Sequence, residues 1–162
     1  MKEVAHLKRI LSGVLRLTLK LAVQFSFGGG LYFLMETVFR HIRSHTSPSY
    51  PVFFLGGGAF VLGILLCRIP LSRRWLALVL PPLGFGVLTA YEYLFGLYFL
   101  TTRGLRIWNY TGCPHEYRGL ICLQFSLCWG ALMWLILAID TLTEHLLRHT
   151  RFAFSALFSE SE

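Results

Sequence analysis

Residues 76–100, LALVLPPLGFGVLTAYEYLFGLYFL, decide the fold of this chain. The run is apolar throughout except for Glu92, and it exceeds the roughly 20 residues that a helix needs to cross a bilayer. A carboxylate in hydrocarbon costs about 2.5–3.5 kcal/mol on insertion scales, so Glu92 must face protein and needs a reason to be there. Residues 22–39, AVQFSFGGGLYFLMETVF, repeat the arrangement, with Glu36 toward the end of the run. Two readings of this pair compete. In one, the acids line a polar cavity and bind a cation, a proton or a cationic group. In the other, each carboxyl is protonated or bonded to a Tyr, Thr or Arg of a neighbouring helix and locks the packing.

The composition agrees with a membrane location. Hydrophobic residues make up 55% of the 162 and charged residues only 14%, against about 25% charged in a soluble domain. The charges sit at the ends and in short connections. We therefore expect an all-α, polytopic membrane protein with one transmembrane domain over 21–140 and four transmembrane helices, at about 21–39, 52–68, 75–100 and 119–140. Pro81 and Pro82 predict a kink in the third. In 1–20, Val4, Leu7, Leu11, Val14 and Leu15 share one helical face, while Lys8, Ser12, Arg16 and Lys20 recur on another. That pattern predicts an N-terminal amphipathic helix on the membrane surface. No small-residue cleavage site follows the first apolar run, so it reads as a retained span. Residues 141–162 read as a cytoplasmic helical extension and tail.

Ten of the fifteen lysines and arginines fall in three segments: the N-terminus, the connection with Arg68, Arg73 and Arg74, and the C-terminal part. The excess of basic residues marks cytoplasmic segments, which places both the N- and C-termini in the cytoplasm and both glutamates in the outer half of the membrane. The net charge of +7 fits contact with membrane lipids. No basic surface domain or RNA-binding motif points to nucleic acid. LYFLMETVF in the first span and LTAYEYLFG in the third suggest a parallel two-helix repeat. Four short helices enclose little volume, so a cavity calls for a homodimer or a partner membrane subunit.

The Gly28–Gly30 and Gly56–Gly58 runs lack the strand–loop–helix context of a phosphate cradle and read as sites of close helix packing. The loop 101–118 is the densest polar stretch, and its Trp108, Tyr110 and Tyr117 suit the headgroup level. Cys113, His115 and Glu116 match no metal-ligand spacing, and the four cysteines form no CxxC pair, so neither a metal site nor a disulfide framework is expected. Asn109-Tyr110-Thr111 is formally a glycosylation sequon. His145 and His149 share a helix face near Asp140 and Glu144, which reads as a solvated face. No nucleophile–base constellation or P-loop is visible, so the chain reads as neither an enzyme nor a nucleotide-binding protein, and no cofactor is expected.

Tyr91-Glu92, then Trp108-Asn109-Tyr110-Thr111, then the run from Gly119 to Trp129-Gly130 resemble the small membrane proteins grouped as type IV, CmpB-like ABC-transporter permeases. Vertebrate four-span relatives share the signature. The resemblance covers about residues 85–134, with Tyr32-Phe33 to Glu36 similar in the first half. Asn109 stands where the family has Asp, and the R-G-F-L-x-G-P segment of many bacterial members is missing. The resemblance implies a permease-like transport subunit driven by a separate ATPase subunit. Its substrate-binding candidates are Glu36, Glu92, Tyr32 and Tyr91, with Trp108, Asn109 and Tyr110 capping the outer mouth. The alternative is a structural or partner-binding membrane protein with no transport activity.

Overall fold

The computed structural model describes the backbone of residues 2–44 and 47–159. Side chains are described within 6–42 (except Lys8, Arg9, Ser12 and Arg16), over 47–143, and at His145. Four helices carry the fold: α1 (Lys2–Ser44), α2 (Pro51–Leu66), α3 (Arg73–Arg103) and α4 (Leu123–Ser159). Between the last two, β1 (Glu116–Tyr117) and β2 (Ile121–Cys122) pair antiparallel, Glu116 opposite Cys122 and Tyr117 opposite Ile121.

Three helical stretches are long and apolar enough to cross a membrane: Gly13–Ile42, Arg73–Arg103 and Leu123–Thr143. The expected second span is the exception. α2 has 16 residues, and at about 1.5 Å per residue it measures roughly 24 Å, short of a hydrocarbon core of about 30 Å. The expected boundary at residue 20 is not marked in the backbone either, because α1 runs unbroken from Lys2 to Ser44. Most of the basic stripe expected to lie on the membrane surface (Lys8, Arg9, Ser12 and Arg16) lies outside the described side chains, as do Glu144 and His149. The acidic end at 160–162 lies outside the described residues altogether.

Local chemistry sets the helix ends. Pro51 opens α2, where its missing N–H would have had no partner in the helix anyway. α3 continues through Pro81 and Pro82 and stops at Gly104, whose left-handed φ of 62° lets the Leu105 N–H turn back to the Phe99 carbonyl at 3.2 Å. The loop 104–122 is ordered by its own backbone bonds. Its strand pair and the Tyr110 N–H bond to the Gly119 carbonyl, at 2.9 Å, fold it back on itself.

The helices form two antiparallel hairpins, α1 with α2 and α3 with α4. Gly28 lies against Phe60 and Gly56 against Tyr32, so the α1 and α2 numberings run in opposite directions. Lipid tails are as apolar as leucine, so helices in a bilayer associate through close packing, which small residues permit. A Cβ on Gly56 would come 2.3 Å from the Tyr32 Cβ, and one on Gly130 would come 2.9 Å from the Pro81 carbonyl oxygen. α2 sits at the centre. Val52, Leu55, Ala59 and Ile64 are fully buried, with Leu80 and Leu88 of α3 and Met133 of α4 in the same core. Leucines and valines along α1 and α4 remain exposed, as a lipid-facing surface requires.

At the end of the bundle opposite the loop, Asp140 is 2% exposed. Its Oδ1 accepts from Arg68 Nη2 at 2.8 Å and lies 3.7 Å from Lys20 Nζ. His145 is exposed, while near it the buried Asp140 carboxylate joins α4 to Lys20 of α1 and to the partly exposed Arg68 just past the end of α2.

Gly56→Leu is expected to force α1 from α2 and lower stability by about 1–3 kcal/mol, the usual cost of overpacking. Gly86 has open space around its missing Cβ, so Gly86→Ala is expected to raise stability by about 0.4–1 kcal/mol. Thermal unfolding of the purified variants in detergent checks both.

Candidate functional site

Glu92 lies on α3 and is 1% exposed. Both its carboxylate oxygens have partners. Tyr110 of the loop donates its phenol to Oε1 at 2.9 Å, and the Trp129 indole of α4 donates Nε1–H to Oε2 at 2.8 Å. Hydrogen bonds are worth about 0.5–1.5 kcal/mol each, or about 1.5–3 where one partner is charged, and losing one here would leave a buried acceptor without a partner. Burial, and then the Glu92 carboxylate, push the Tyr110 phenol pKa upward, so Tyr110 stays protonated and remains the donor.

Aromatic rings hold the two donors in place. The Tyr32 ring of α1 stacks on Trp129, with centroids 5.2 Å apart and planes 13° apart. Tyr110 stacks on Phe125 of α4 at 4.9 Å, and Phe39 of α1 meets the edge of the same Phe125 at 5.6 Å. The hydroxyl of Tyr32 interacts electrostatically with Glu92, Glu36 and Arg40.

Glu36 reaches the loop by a different route. Arg40, one turn on, donates Nε–H to Glu36 Oε1 at 2.6 Å and Nη2–H to the Ile107 carbonyl at 2.6 Å. The acid of α1 therefore grips residue 107 through an arginine, and the acid of α3 grips residue 110 directly. The two glutamates converge on one short piece of the loop.

The other sequence candidates divide. Trp108 is 7% exposed and donates Nε1–H to the Leu120 carbonyl at 2.6 Å. It fastens the loop to itself and packs on Gly96. Asn109 is exposed; its Oδ1 accepts from Arg106 at 3.2 Å, from the Thr111 N–H at 3.1 Å and from the Thr111 hydroxyl at 2.6 Å. An Asp there would accept the same donors, so the loop keeps its turn without the charge. Tyr91 turns away from the glutamates toward α2, with its hydroxyl 3.4 Å from the Phe54 carbonyl and its ring over Gly58. Neighbours on a helix diverge by about 100°, which separates Tyr91 from Glu92. Glu92, Tyr110, Tyr32 and, through Arg40, Glu36 make one cluster; Tyr91, Trp108 and Asn109 do not join it.

Sequence reasoning missed Arg40, Phe125 and Trp129. Arg40 was within reach, since Glu and Arg at i and i+4 share a helix face. Nothing local marks Trp129 as the partner of Glu92; only the packing of α3 on α4 does. Among the described residues, no group of three or more His, Cys, Asp or Glu side chains is placed to hold a metal. Glu116 instead accepts the Gly119 N–H within its own turn. Remote from the glutamates, a groove of about 540 Å³ is lined by Arg73, Trp134, Leu137, Ala138, Thr141, Leu142 and His145.

Trp129→Phe keeps a ring on Tyr32 and removes only the indole donor. It is expected to lower stability in detergent by about 1–3 kcal/mol. Combined with Tyr110→Phe, it is expected to give a non-additive loss, because both donors serve one carboxylate. A double-mutant cycle on unfolding free energies measures this.

A profile of the family described as "Putative ABC-transporter type IV" matches residues 23–159, which takes in the second half of α1 and all of α2, α3, the loop and α4. No curated protein and no solved structure matches the chain. The matched region contains both glutamates, Arg40, Tyr110 and Trp129, so the cluster lies wholly inside the family's domain. With its long apolar helices and this match over most of its length, the chain is a multi-pass integral membrane protein belonging to the "Putative ABC-transporter type IV" family.

Proposed function

We propose that the protein is the permease-like membrane subunit of a transport system, in which Glu36 and Glu92 latch the loop 104–122 over one end of the helix bundle. The observation that carries this reading is the convergence of the two acids, from α1 and α3, on residues 107–110. A latch of charge-assisted bonds in a low-dielectric setting is strong when closed. When it opens, it frees two carboxylates beside Tyr32, a set of acceptors suited to a cation or a cationic group.

The reading includes four membrane crossings with both termini cytoplasmic. α2 then crosses as a short span, which a bilayer accommodates by local thinning. The N-terminal part of α1 rests its basic face on anionic headgroups, and the groove beside Arg73 lies at the same level. The loop and both glutamates fall on the outer side. The two hairpins, each with its acid on the first helix, fit a parallel repeat. The sequence has no P-loop, so nucleotide hydrolysis falls to a separate ATPase subunit, and a second copy or a partner membrane subunit completes the pathway. Substrate enters past Tyr110, while Trp108 and Asn109 keep the loop folded as it moves.

A structural reading competes, and one observation favours it: both oxygens of Glu92 are already bonded to protein groups. In that reading the acids only lock packing, and the chain carries no substrate.

Isolation of the full chain from its native membranes in mild detergent separates the two. The transport reading expects a stoichiometric companion that hydrolyses ATP, with hydrolysis at least severalfold altered by Glu92→Gln. A chain that isolates alone, or with companions that hydrolyse no ATP, overturns it.

A further inference from the structure

The loop 104–122 contains a second feature, distinct from the latch. Cys113 and Cys122 are nine positions apart in sequence, yet the fold brings them together. The Cys113 N–H donates to the Tyr110 carbonyl at 2.9 Å, closing a turn, and the Tyr110 N–H donates to the Gly119 carbonyl at 2.9 Å, which lays that turn on the far arm of the loop. Cys122 belongs to that arm, opposite Glu116 in the strand pair. The two thiols are neighbours that interact with each other. Their exposures differ: Cys113 is half-buried and Cys122 is 2% exposed. The Cys122 sulfur also accepts the backbone N–H groups of Gln124 and Phe125, at the start of α4. Burial pushes the Cys122 thiol up, and the two N–H groups offset only part of that, so Cys122 rests as a thiol beside the more accessible Cys113.

We infer that Cys113 and Cys122 are a redox site, which closes to a disulfide that staples the loop beneath Glu92. The oxidant is a small or protein disulfide. The more accessible Cys113 thiolate attacks it, forming a mixed disulfide and releasing one thiol. The Cys122 thiolate then attacks the Cys113 sulfur and displaces the second thiol. In sum, two protein thiols become one disulfide and one external disulfide becomes two thiols, so atoms and electrons balance. The ring closed by the bridge includes residues 113–122; Tyr110 lies just outside it and is tied to it by the Tyr110 N–H bond to the Gly119 carbonyl and the Cys113 N–H bond to the Tyr110 carbonyl. The staple therefore rigidifies the segment that carries the phenol donated to Glu92. The chemistry stands on the fold of the loop alone. Oxidation in the cell also rests on the proposed orientation, which puts the loop in the compartment where disulfides persist.

The test treats the full chain in detergent with oxidised glutathione, denatures it and alkylates the remaining thiols. Of four cysteines, two are expected to stay alkylatable. Trypsin cleavage after Arg106 and Arg118 places Cys113 on one fragment and Cys122 with Cys128 on another; the two are expected to stay linked until reduced, with Cys128 carrying the alkyl group and Cys122 the bridge when the linked fragments are sequenced. Cys113→Ser is expected to fold normally and lose the link. Four alkylatable thiols, a link to Cys67 or Cys128, or glutathione held on Cys113 without a cross-link each overturn the inference. The same digestion on unreduced native membranes tests orientation separately. A link there supports an outer loop. A link formed only with added glutathione keeps the redox site and overturns the orientation.

Discussion

The constraint on which the rest of the structure depends is the burial of one carboxylate. Glu92 sits in an apolar helix with almost no access to solvent, and a carboxyl group in that setting needs partners on both oxygens. The match comes from two other elements, Trp129 of α4 and Tyr110 of the loop. Satisfying Glu92 thus sets the register of α4 against α3 and docks the loop on the bundle. Tyr32, stacked on Trp129, brings α1 into the same arrangement. In water such a group would weaken a core. In a bilayer, where apolar side chains gain little by leaving lipid for protein, it selects one packing among many.

Close packing supplies what the polar bonds do not. Gly28, Gly56 and Gly130 let helix backbones and large rings meet without a Cβ between them. The Gly56 contact on Tyr32 and the Tyr32 stack on Trp129 form a continuous path from α2 to the Glu92 site. At the far end, Asp140 plays a matching part, drawing in Arg68 and Lys20. Each end of the bundle is therefore closed by an acid on a helix that recruits partners from other elements.

Much of the fold was legible in the sequence because the bilayer imposes a simple code. Long apolar runs gave the helices, and the isolated glutamates marked the places where those runs must face protein. The glycine runs read as packing sites, and the structure puts Gly28, Gly29, Gly56, Gly57 and Gly58 against Phe60, Phe53, Tyr32, Phe25 and Tyr91, whereas Gly30 has open space around it. The code is silent about length at the margin: α2 is apolar but too short by itself to span. It is also silent about the continuity of α1, since a change of face pattern at residue 20 does not require a break in the backbone. The loop was the least legible part. Its strand pair, its left-handed residues His115, Arg118 and Gly119, and the bonds converging on Asn109 depend on contacts between residues several positions apart. The acids themselves were legible and their partners were not. A sequence shows that a carboxylate needs donors, whereas only packing shows that these are an indole from α4 and a phenol from the loop.

Glu92 and Glu36 hold the loop to the bundle, Glu92 through Tyr110 and Glu36 through Arg40. Hydrogen–deuterium exchange of the full chain in detergent tests this directly, by comparing the unaltered protein with Glu92→Gln and Glu36→Gln. Amides of residues 105–122, including Tyr110 and Leu120, are expected to lose protection in both variants, while amides in the core of α2 keep theirs. Unchanged protection of the loop in both variants would contradict this role of the two acids.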